Sequence, residues 1–327
     1  MRVAAIDCGT NSIRLLIADR DEHSGVLTEV LRQMEVVRLG QGVDTTGRLN
    51  EESLRRTLAM CHEYAQDCRD HGLAPGAIRF VATSASRDAE NAQDFIVGVK
   101  EAFAELDVAP EVISGDEEAR LSFAGATADL SDSGFEGPYL VVDLGGGSTE
   151  IARGTREVIA GLSLDVGCVR LTERHLQSDP PLQEEVDSAR FDIAEALDRA
   201  EAEVGLGGVH TLVGLAGSVT TVTAQALGLA HYDPAAIHHA HVSPEQIMQA
   251  AEHLLISTRE ERAAMGFMHP GRVDVIGAGA LIWYEVVSRT LSANGPELVV
   301  TTSEKDILDG IALSVGDERP GGADAVG

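Results

Sequence analysis

Short apolar runs that end in small polar turns alternate along this chain with longer stretches of helical period. Residues 3–6 are apolar and stop at Asp7. Cys8-Gly9-Thr10-Asn11-Ser12 follows, and residues 13–18 are apolar again. That pattern predicts strand, tight turn, strand, with polar groups at the hairpin tip. Leu54, Leu58, Cys61, Ala65 and Cys68 recur at helical spacing and predict an amphipathic helix over 50–70. A buried-type strand is predicted over 78–82, ending at Thr83-Ser84-Ala85-Ser86-Arg87. A helix over 91–106, a short strand at 112–113 and a helix over 114–126 complete the first part.

Ser131-Asp132-Ser133-Gly134 has the composition of a linker. A strand over 139–142 then ends at Asp143, followed by Leu144-Gly145-Gly146-Gly147-Ser148-Thr149-Glu150 and a return strand from Ile151. Helix is predicted over 182–204 and strand over 210–215. Ala216-Gly217-Ser218 leads from that strand into a helix over 219–227. Residues 273–276, Gly277-Ala278-Gly279 and Ala280 onward predict the same strand, glycine turn and helix. A strand at 298–302 and a helix at 307–315 close the pattern. The polar, Gly/Pro-rich residues 316–327 read as a frayed tail.

An internal repeat organises these elements. Ala5-Ile6-Asp7-Cys8-Gly9-Thr10-Asn11-Ser12 aligns with Val141-Val142-Asp143-Leu144-Gly145-Gly146-Gly147-Ser148. Both read strand, Asp-x-Gly-x-x-Ser, strand. The chain therefore divides into two related α/β halves, each with a glycine-rich tip. Two such tips facing one cleft would clamp phosphate.

The 327 residues suit two domains, and 44% hydrophobic with 24% charged residues excludes disorder for the bulk of the chain. Acidic residues outnumber basic ones 53 to 25, for a net charge of −28. Coating nucleic acid needs a basic surface, so nucleic acid is excluded as a general partner. Backbone N–H groups and a few arginines can still hold a local anion. No apolar run reaches the length of a membrane span, and the N-terminus lacks a signal-peptide pattern. Cys8, Cys61, Cys68 and Cys168 form no CxxC pair, which points to reduced thiols and a cytoplasmic setting.

Gly145, Gly146 and Gly147 allow close backbone approach to phosphate oxygens, and Asp143 and Glu150 flank them as candidate Mg²⁺ ligands. Thr10, Asn11 and Ser12 suit phosphate recognition, or ordinary turn chemistry. Ser114 and Glu117 have capping-box spacing, which leaves Glu118 as a candidate general base for an attacking water. Arg87 is either a cation for a transferred phosphoryl group or a solvated arginine. Gly217 and Ser218 sit at a strand-to-helix turn, where helix N–H groups favour an anion or where strand and helix simply pack closely. His238, His239 and His241 lie in no HExxH pattern and read as a polar loop rather than a metal site. Trp283 reads as core.

Asp7-x-Gly-Thr-Asn-Ser, Ser114-Gly-Asp-Glu-Glu-Ala-Arg, Asp143-Leu-Gly-Gly-Gly-Ser-Thr-Glu and Gly214-Leu-Ala-Gly-Ser with Thr220-Thr221 occur in that order. Together they resemble the exopolyphosphatase/guanosine pentaphosphate phosphatase (Ppx/GppA) family, over about residues 1–315. The resemblance implies two ribonuclease H-like (actin-like ATPase) α/β domains with a cleft between them. It places them at 1–126 and 127–304, with the last helix, about 305–316, packing back on the first. It implies hydrolysis of terminal phosphate from inorganic polyphosphate. The alternatives are guanosine pentaphosphate 5′-hydrolysis, or a non-catalytic sensor of polyphosphate or guanosine tetraphosphate. By position it makes Glu118 the catalytic base, sets Arg87 near the transferred phosphate, and assigns Asp143, Glu150 and Asp7 to Mg²⁺ (or Mn²⁺). Thr10, Asn11, Ser12, Gly145 to Ser148, Gly217 and Ser218 become substrate contacts. A homodimer is compatible with it. The chain resembles the short two-domain form, for which short to medium polyphosphates are expected. One departure stands out: Leu308 occupies the position where many relatives carry an arginine.

Overall fold

The computed structural model describes residues 1–21 and 23–316. Its first five strands are β1 (Arg2–Cys8), β2 (Ser12–Arg20), β3 (Leu27–Val36), β4 (Ile78–Ala82) and β5 (Glu111–Val112). They form one sheet in the order β3-β2-β1-β4-β5. The helices among them are α1 (Val43–Thr46), α2 (Glu51–Asp70), α3 (Ser84–Asp88), α4 (Ala92–Ala102) and α5 (Gly115–Thr127). A second sheet contains β6 (Tyr139–Leu144), β7 (Thr149–Gly154), β8 (Val158–Leu164), β9 (Thr211–Leu215) and β10 (Val299–Thr302), in the order β10-β9-β6-β7-β8. With it go α6 (Cys168–Arg174), α7 (Gln183–Glu203), α8 (Ala216–Ala226), α9 (Pro234–Ile237), α10 (Pro244–Ile256), α11 (Arg259–Ala264) and α12 (Ile276–Asn294). The last helix is α13 (Ile307–Leu313).

The two sheets are topological copies. β1 pairs antiparallel with β2 and parallel with β4, and β6 pairs antiparallel with β7 and parallel with β9. Each is a mixed sheet of the ribonuclease H-like type, so the chain is an α/β protein of two such units. In both hairpins the tip closes the same way: Gly9 N–H donates to Ser12 O, and Gly145 N–H donates to Ser148 O, each at 3.0 Å.

β1 and β6 read as unbroken apolar runs because both of their faces are covered. Ala4 and Ile6 face a core shared with Tyr64 and Ala65 of α2 and Phe95 and Val99 of α4. Val3 and Ala5 face the other way, against Ile307, Leu308, Ile311 and Ala312 of α13. The last helix thus closes the first sheet. α5 lies beside α13 and turns Ala119, Phe123 and Ala126 toward Val141, Val213 and Leu215 of the second sheet. The two helices touch backbone to backbone. A Cβ on Gly125 would collide with the Asp306 carbonyl, and one on Gly310 with the Leu121 carbonyl.

One expectation fails. Residues 273–275 form a turn, and Ile276 opens the 19-residue helix α12. The apolar run from Ile276 to Trp283 is buried throughout, so it carries no period that separates strand from helix. Gly277 and Gly279 serve helix packing there, against Arg262 and Ser218, and make no anion turn. Trp283 is fully buried, and all four cysteines are buried and free. The expected frayed tail, from 317 onward, lies outside the described residues. Among the described residues no helix is long and apolar enough to cross a membrane.

Gly310→Ala should force α13 off α5. Overpacking of this kind costs about 1–3 kcal/mol. The expected outcome is a thermal midpoint lowered by several degrees, read by circular dichroism.

Candidate active site

The two hairpin tips face one another across a cavity of about 110 Å³ between the sheets. Asp7, Thr10, Asn11 and Ser12 line it from the first sheet, and Asp143, Gly145, Gly146, Gly147, Ser148 and Glu150 from the second. Glu118, Gly217 and Ser218 complete the wall. Residues more than 200 positions apart in the chain therefore share one space.

The triple-glycine loop is presented by its surroundings. Cys168, Val169 and Arg170, at the start of α6, donate their N–H groups to the carbonyls of Gly145 and Gly146. Arg170 Nε donates to Gly147 O at 2.7 Å. With those carbonyls drawn away, the Gly146 and Gly147 N–H groups have no backbone acceptor among the described residues. Free peptide N–H groups in succession are suited to an anion. The opposing loop sits tight against the glycine loop: Thr10 Oγ1 and Ser84 Oγ are 2.9 Å apart, and a Cβ on Gly147 would collide with both hydroxyls. Arg170 also pairs with Asp44 and Asp88 at 2.6 and 2.7 Å, which ties the loop to the first unit.

Carboxylates crowd the other wall. Asp143 and Glu150 are direct partners across the β6–β7 ladder. Ser122 Oγ donates to Asp143 Oδ2 at 2.6 Å, and Ser163 Oγ to Glu150 Oε1 at 2.7 Å. Burial, with the charge of Asp306 added, pushes the Asp143 carboxyl up to about 6. Burial, with Asp143 beside it, pushes Glu150 up to about 7. Glu118 is raised well above its ordinary value by burial and by the Glu150 charge, against the pull of Arg87. Asp7 is different. Its Oδ2 accepts from Arg14 Nε and Nη2 at 3.0 and 2.6 Å, and Arg14 Nη1 pairs with Asp306. Its carboxylate is already committed to a guanidinium.

An all-oxygen, buried and mutually repelling pair suits a hard divalent cation. Asp143 and Glu150 fit such an ion, which would take its remaining ligands from water and phosphate. Asp7 does not join them as a third close ligand. Among the described residues, the one trio of His, Cys, Asp or Glu side chains whose ligand atoms gather within 4.8 Å lies elsewhere.

Arg87 is placed by the fold behind Glu118 rather than on the cavity wall. Its Nη1 donates to Ile113 O at 3.0 Å and to Glu118 Oε2 at 3.2 Å. Ser114 does cap α5, accepting from Glu117 N–H, but the Glu117 carboxylate pairs with Arg79. Two cleft arginines escaped sequence reading. Arg14 is the one basic residue in the otherwise apolar β2 core segment, which was a usable signal. Arg272 enters from the turn before α12, its guanidinium against Gly217, with nothing in its local sequence to mark it.

A second cavity of about 440 Å³ opens from the first and shares Arg14, Met34, Gly217 and Arg272 with it. Its wall is more apolar, with Tyr232, Phe267, Met268 and Leu308.

A sequence model of the Ppx/GppA phosphatase family matches residues 16–314. The chain belongs to the Ppx/GppA phosphatase family. It is 48% identical over 318 residues to Exopolyphosphatase 2 of Mycobacterium tuberculosis, covering 96% of this chain and 98% of that one. It is 32% identical to a bifunctional 3-dehydroquinate synthase/phosphatase of Fusobacterium nucleatum, spanning 95% of this chain and 46% of the relative. Among solved structures, an exopolyphosphatase-like protein superposes with a TM-score of 0.90 at 43% identity, covering 96% of this chain and 97% of the other. The Aquifex aeolicus member of the family superposes at 0.78 with 31% identity and the same coverage. This chain is accordingly a phosphohydrolase.

The raised carboxyls have a stability consequence. Between the unfolded values of 3.8 and 4.5 and the folded values of about 6 and about 7, the folded chain holds protons that the unfolded chain has released. Stability of the metal-free protein should be greatest below this window and fall as pH rises through it. Glu150→Gln should flatten that fall. It should also remove most of the rise in thermal midpoint that added Mg²⁺ gives at pH 8, measured by scanning calorimetry.

Proposed function

We propose that this chain is an exopolyphosphatase that removes the terminal orthophosphate from inorganic polyphosphate. The observation that carries this reading is the meeting of two anion-binding hairpin tips with a buried, basic Glu118 and the Asp143–Glu150 pair in one small cleft. The name of the mycobacterial relative supports the substrate. The two domains are 1–126 and 127–304, with 305–316 returning to the first and the cleft between them.

Gly146 and Gly147 N–H groups, with Thr10, Asn11, Ser12 and Ser148, grip the terminal phosphate. Gly217 and Ser218, at the first turn of α8, take the next unit. Asp143 and Glu150 would hold Mg²⁺ or Mn²⁺, which when bound supplies positive charge against the phosphate oxygens. Glu118 accepts a proton from the water that attacks the terminal phosphorus. Burial and the Glu150 charge raise its affinity for that proton, which favours the transfer. Arg87 fixes the Glu118 carboxylate and acts as a positioning residue. The new P–O bond forms as the bridging P–O bond breaks, in line. Products are orthophosphate and a chain one unit shorter. Asp7 serves through Arg14, whose guanidinium faces the cavity. The free, buried cysteines support a cytoplasmic setting.

A second reading, 5′-phosphate removal from guanosine pentaphosphate, draws on the larger side cavity. Polyphosphate offers no apolar group to Phe267, Met268 and Leu308, whereas a nucleobase does.

Orthophosphate release from polyphosphates of defined length and from guanosine pentaphosphate, with and without Mg²⁺, tests both. Glu118→Ala should lower kcat by at least about 10²-fold with little change in KM. Undiminished turnover would remove Glu118 from its role. Phe267→Ala should leave polyphosphate kinetics unchanged. If the nucleotide is the better substrate, the same variant should raise its KM about tenfold.

A further inference from the structure

Three consecutive N–H groups of the glycine loop, those of Gly146, Gly147 and Ser148, have no backbone acceptor among the described residues. The peptides that carry them are trans. In a trans peptide the carbonyl and the N–H that follows it point in opposite directions. Each of these N–H groups is therefore aimed by the carbonyl before it. Cys168 N–H holds the Gly145 carbonyl, and the N–H groups of Val169 and Arg170 hold the Gly146 carbonyl. Those are backbone bonds inside the second unit. The Gly147 carbonyl, which aims the Ser148 N–H, receives no backbone donor among the described residues. A side chain holds it: Arg170 Nε donates to it at 2.7 Å.

The same guanidinium is fastened on its far side to the first unit. Nη1 donates to Asp44 Oδ1 at 2.6 Å and Nη2 to Asp88 Oδ2 at 2.7 Å. Asp44 lies in α1, and Asp88 ends α3. Acceptors from three segments thus occupy the planar fork and fix both its place and its plane. The side chain is only 14% exposed. Ser148 lines the catalytic cavity, and neither aspartate does.

We propose that Arg170 is a positioning residue for the phosphate grip. Asp44 and Asp88 hold its guanidinium, the guanidinium holds the Gly147 carbonyl, and that carbonyl aims the Ser148 N–H into the cleft. The role rests on the loop being the phosphate grip proposed above. Two of the three amides are set by α6 alone. The third is set only while the first unit is docked on Arg170. With the fork released, the Gly147–Ser148 peptide is free to turn, because glycine imposes little restriction on it.

Simple electrostatics predicts the opposite effect for the two aspartates. Both are negative, so neutralising either one should ease the approach of an anion. Neutralising either one also loosens the fork, and a misaimed Ser148 N–H weakens the grip instead. The sign of the change separates the two.

The test is titration of the full chain with inorganic phosphate by isothermal calorimetry, with the ¹⁵N amide signal of Ser148 followed alongside. Phosphate should bind the wild type and shift that signal. Asp44→Asn and Asp88→Asn should each weaken binding about 2- to 10-fold, the range of one net hydrogen bond, and shrink the Ser148 shift at saturation. Arg170→Lys should weaken it as much, because an ammonium does not reproduce a planar fork. Arg174→Gln cuts the neighbouring ion pairs to Asp44 and Asp192 without touching the fork. Partly exposed pairs of that kind contribute little, so it should change affinity by less than about twofold. If Asp44→Asn does not fold by circular dichroism, Asp88→Asn decides alone. Unchanged or tighter phosphate binding in Asp88→Asn, or an equal loss in Arg174→Gln, overturns the role of Arg170 and leaves the phosphate loop standing. Absence of phosphate binding by the wild type overturns the loop reading and this proposal with it.

Discussion

Arg14 is the contact on which the cleft depends. Asp7, Asp143, Glu118, Glu150 and Asp306 are all buried within or beside one small space. Burying like charges together is unfavourable unless cations or protons offset them. Arg14 lies between Asp7 on β1 and Asp306 at the N-cap of α13, and so joins the first sheet to the returning helix by charge. Burial raises the proton affinity of Asp143, Glu150 and Glu118. A divalent cation between them would offset the same repulsion. This separates the few functional carboxylates from the −28 net charge, most of which is solvated surface.

The proposed phosphate loop rests on a different device, the orientation of peptide groups. α6 takes the carbonyls of Gly145, Gly146 and Gly147, and the Gly146 and Gly147 N–H groups are left without a backbone acceptor among the described residues. Arg170 holds that orientation at Gly147 while reaching Asp44 and Asp88 on the opposite unit. Loop geometry and the approach of the two units are therefore linked through one side chain. The α5–α13 contact fastens the returning helix to the first unit. Its two glycines let backbones meet where side chains would hold them apart.

The crossing between units carries polar contacts as well as apolar ones. Asp129, Lys305 and the His238–His239 pair gather beside the α5–α13 contact, and Asp306 begins where that cluster ends. Lys305 at the crossing and Asp306 in the cleft are thus adjacent in the chain. Leu308 itself is buried against the first sheet and borders the side cavity. Arg14, Arg32 and Arg272 supply positive charge to that cavity.

Local signals were legible in the sequence alone. The hairpin tips, the glycine loop and the helix cap at Ser114 each depend on residues within about ten positions of one another, and the repeat and the order of the motifs compare such local segments. Turn geometry and capping act at that range. Family and fold class followed from them. Tertiary structure decided what local range cannot reach. It turned residues 273–276 from a strand into a turn and the start of a helix, because a fully buried apolar run has no solvent face to give it a period. It set Arg87 behind Glu118, paired Arg14 with Asp306, and brought Arg272 to Gly217. It also carried Asp129 to two histidines more than a hundred residues away. Each of these contacts joins segments far apart in the chain, which no window of the sequence contains.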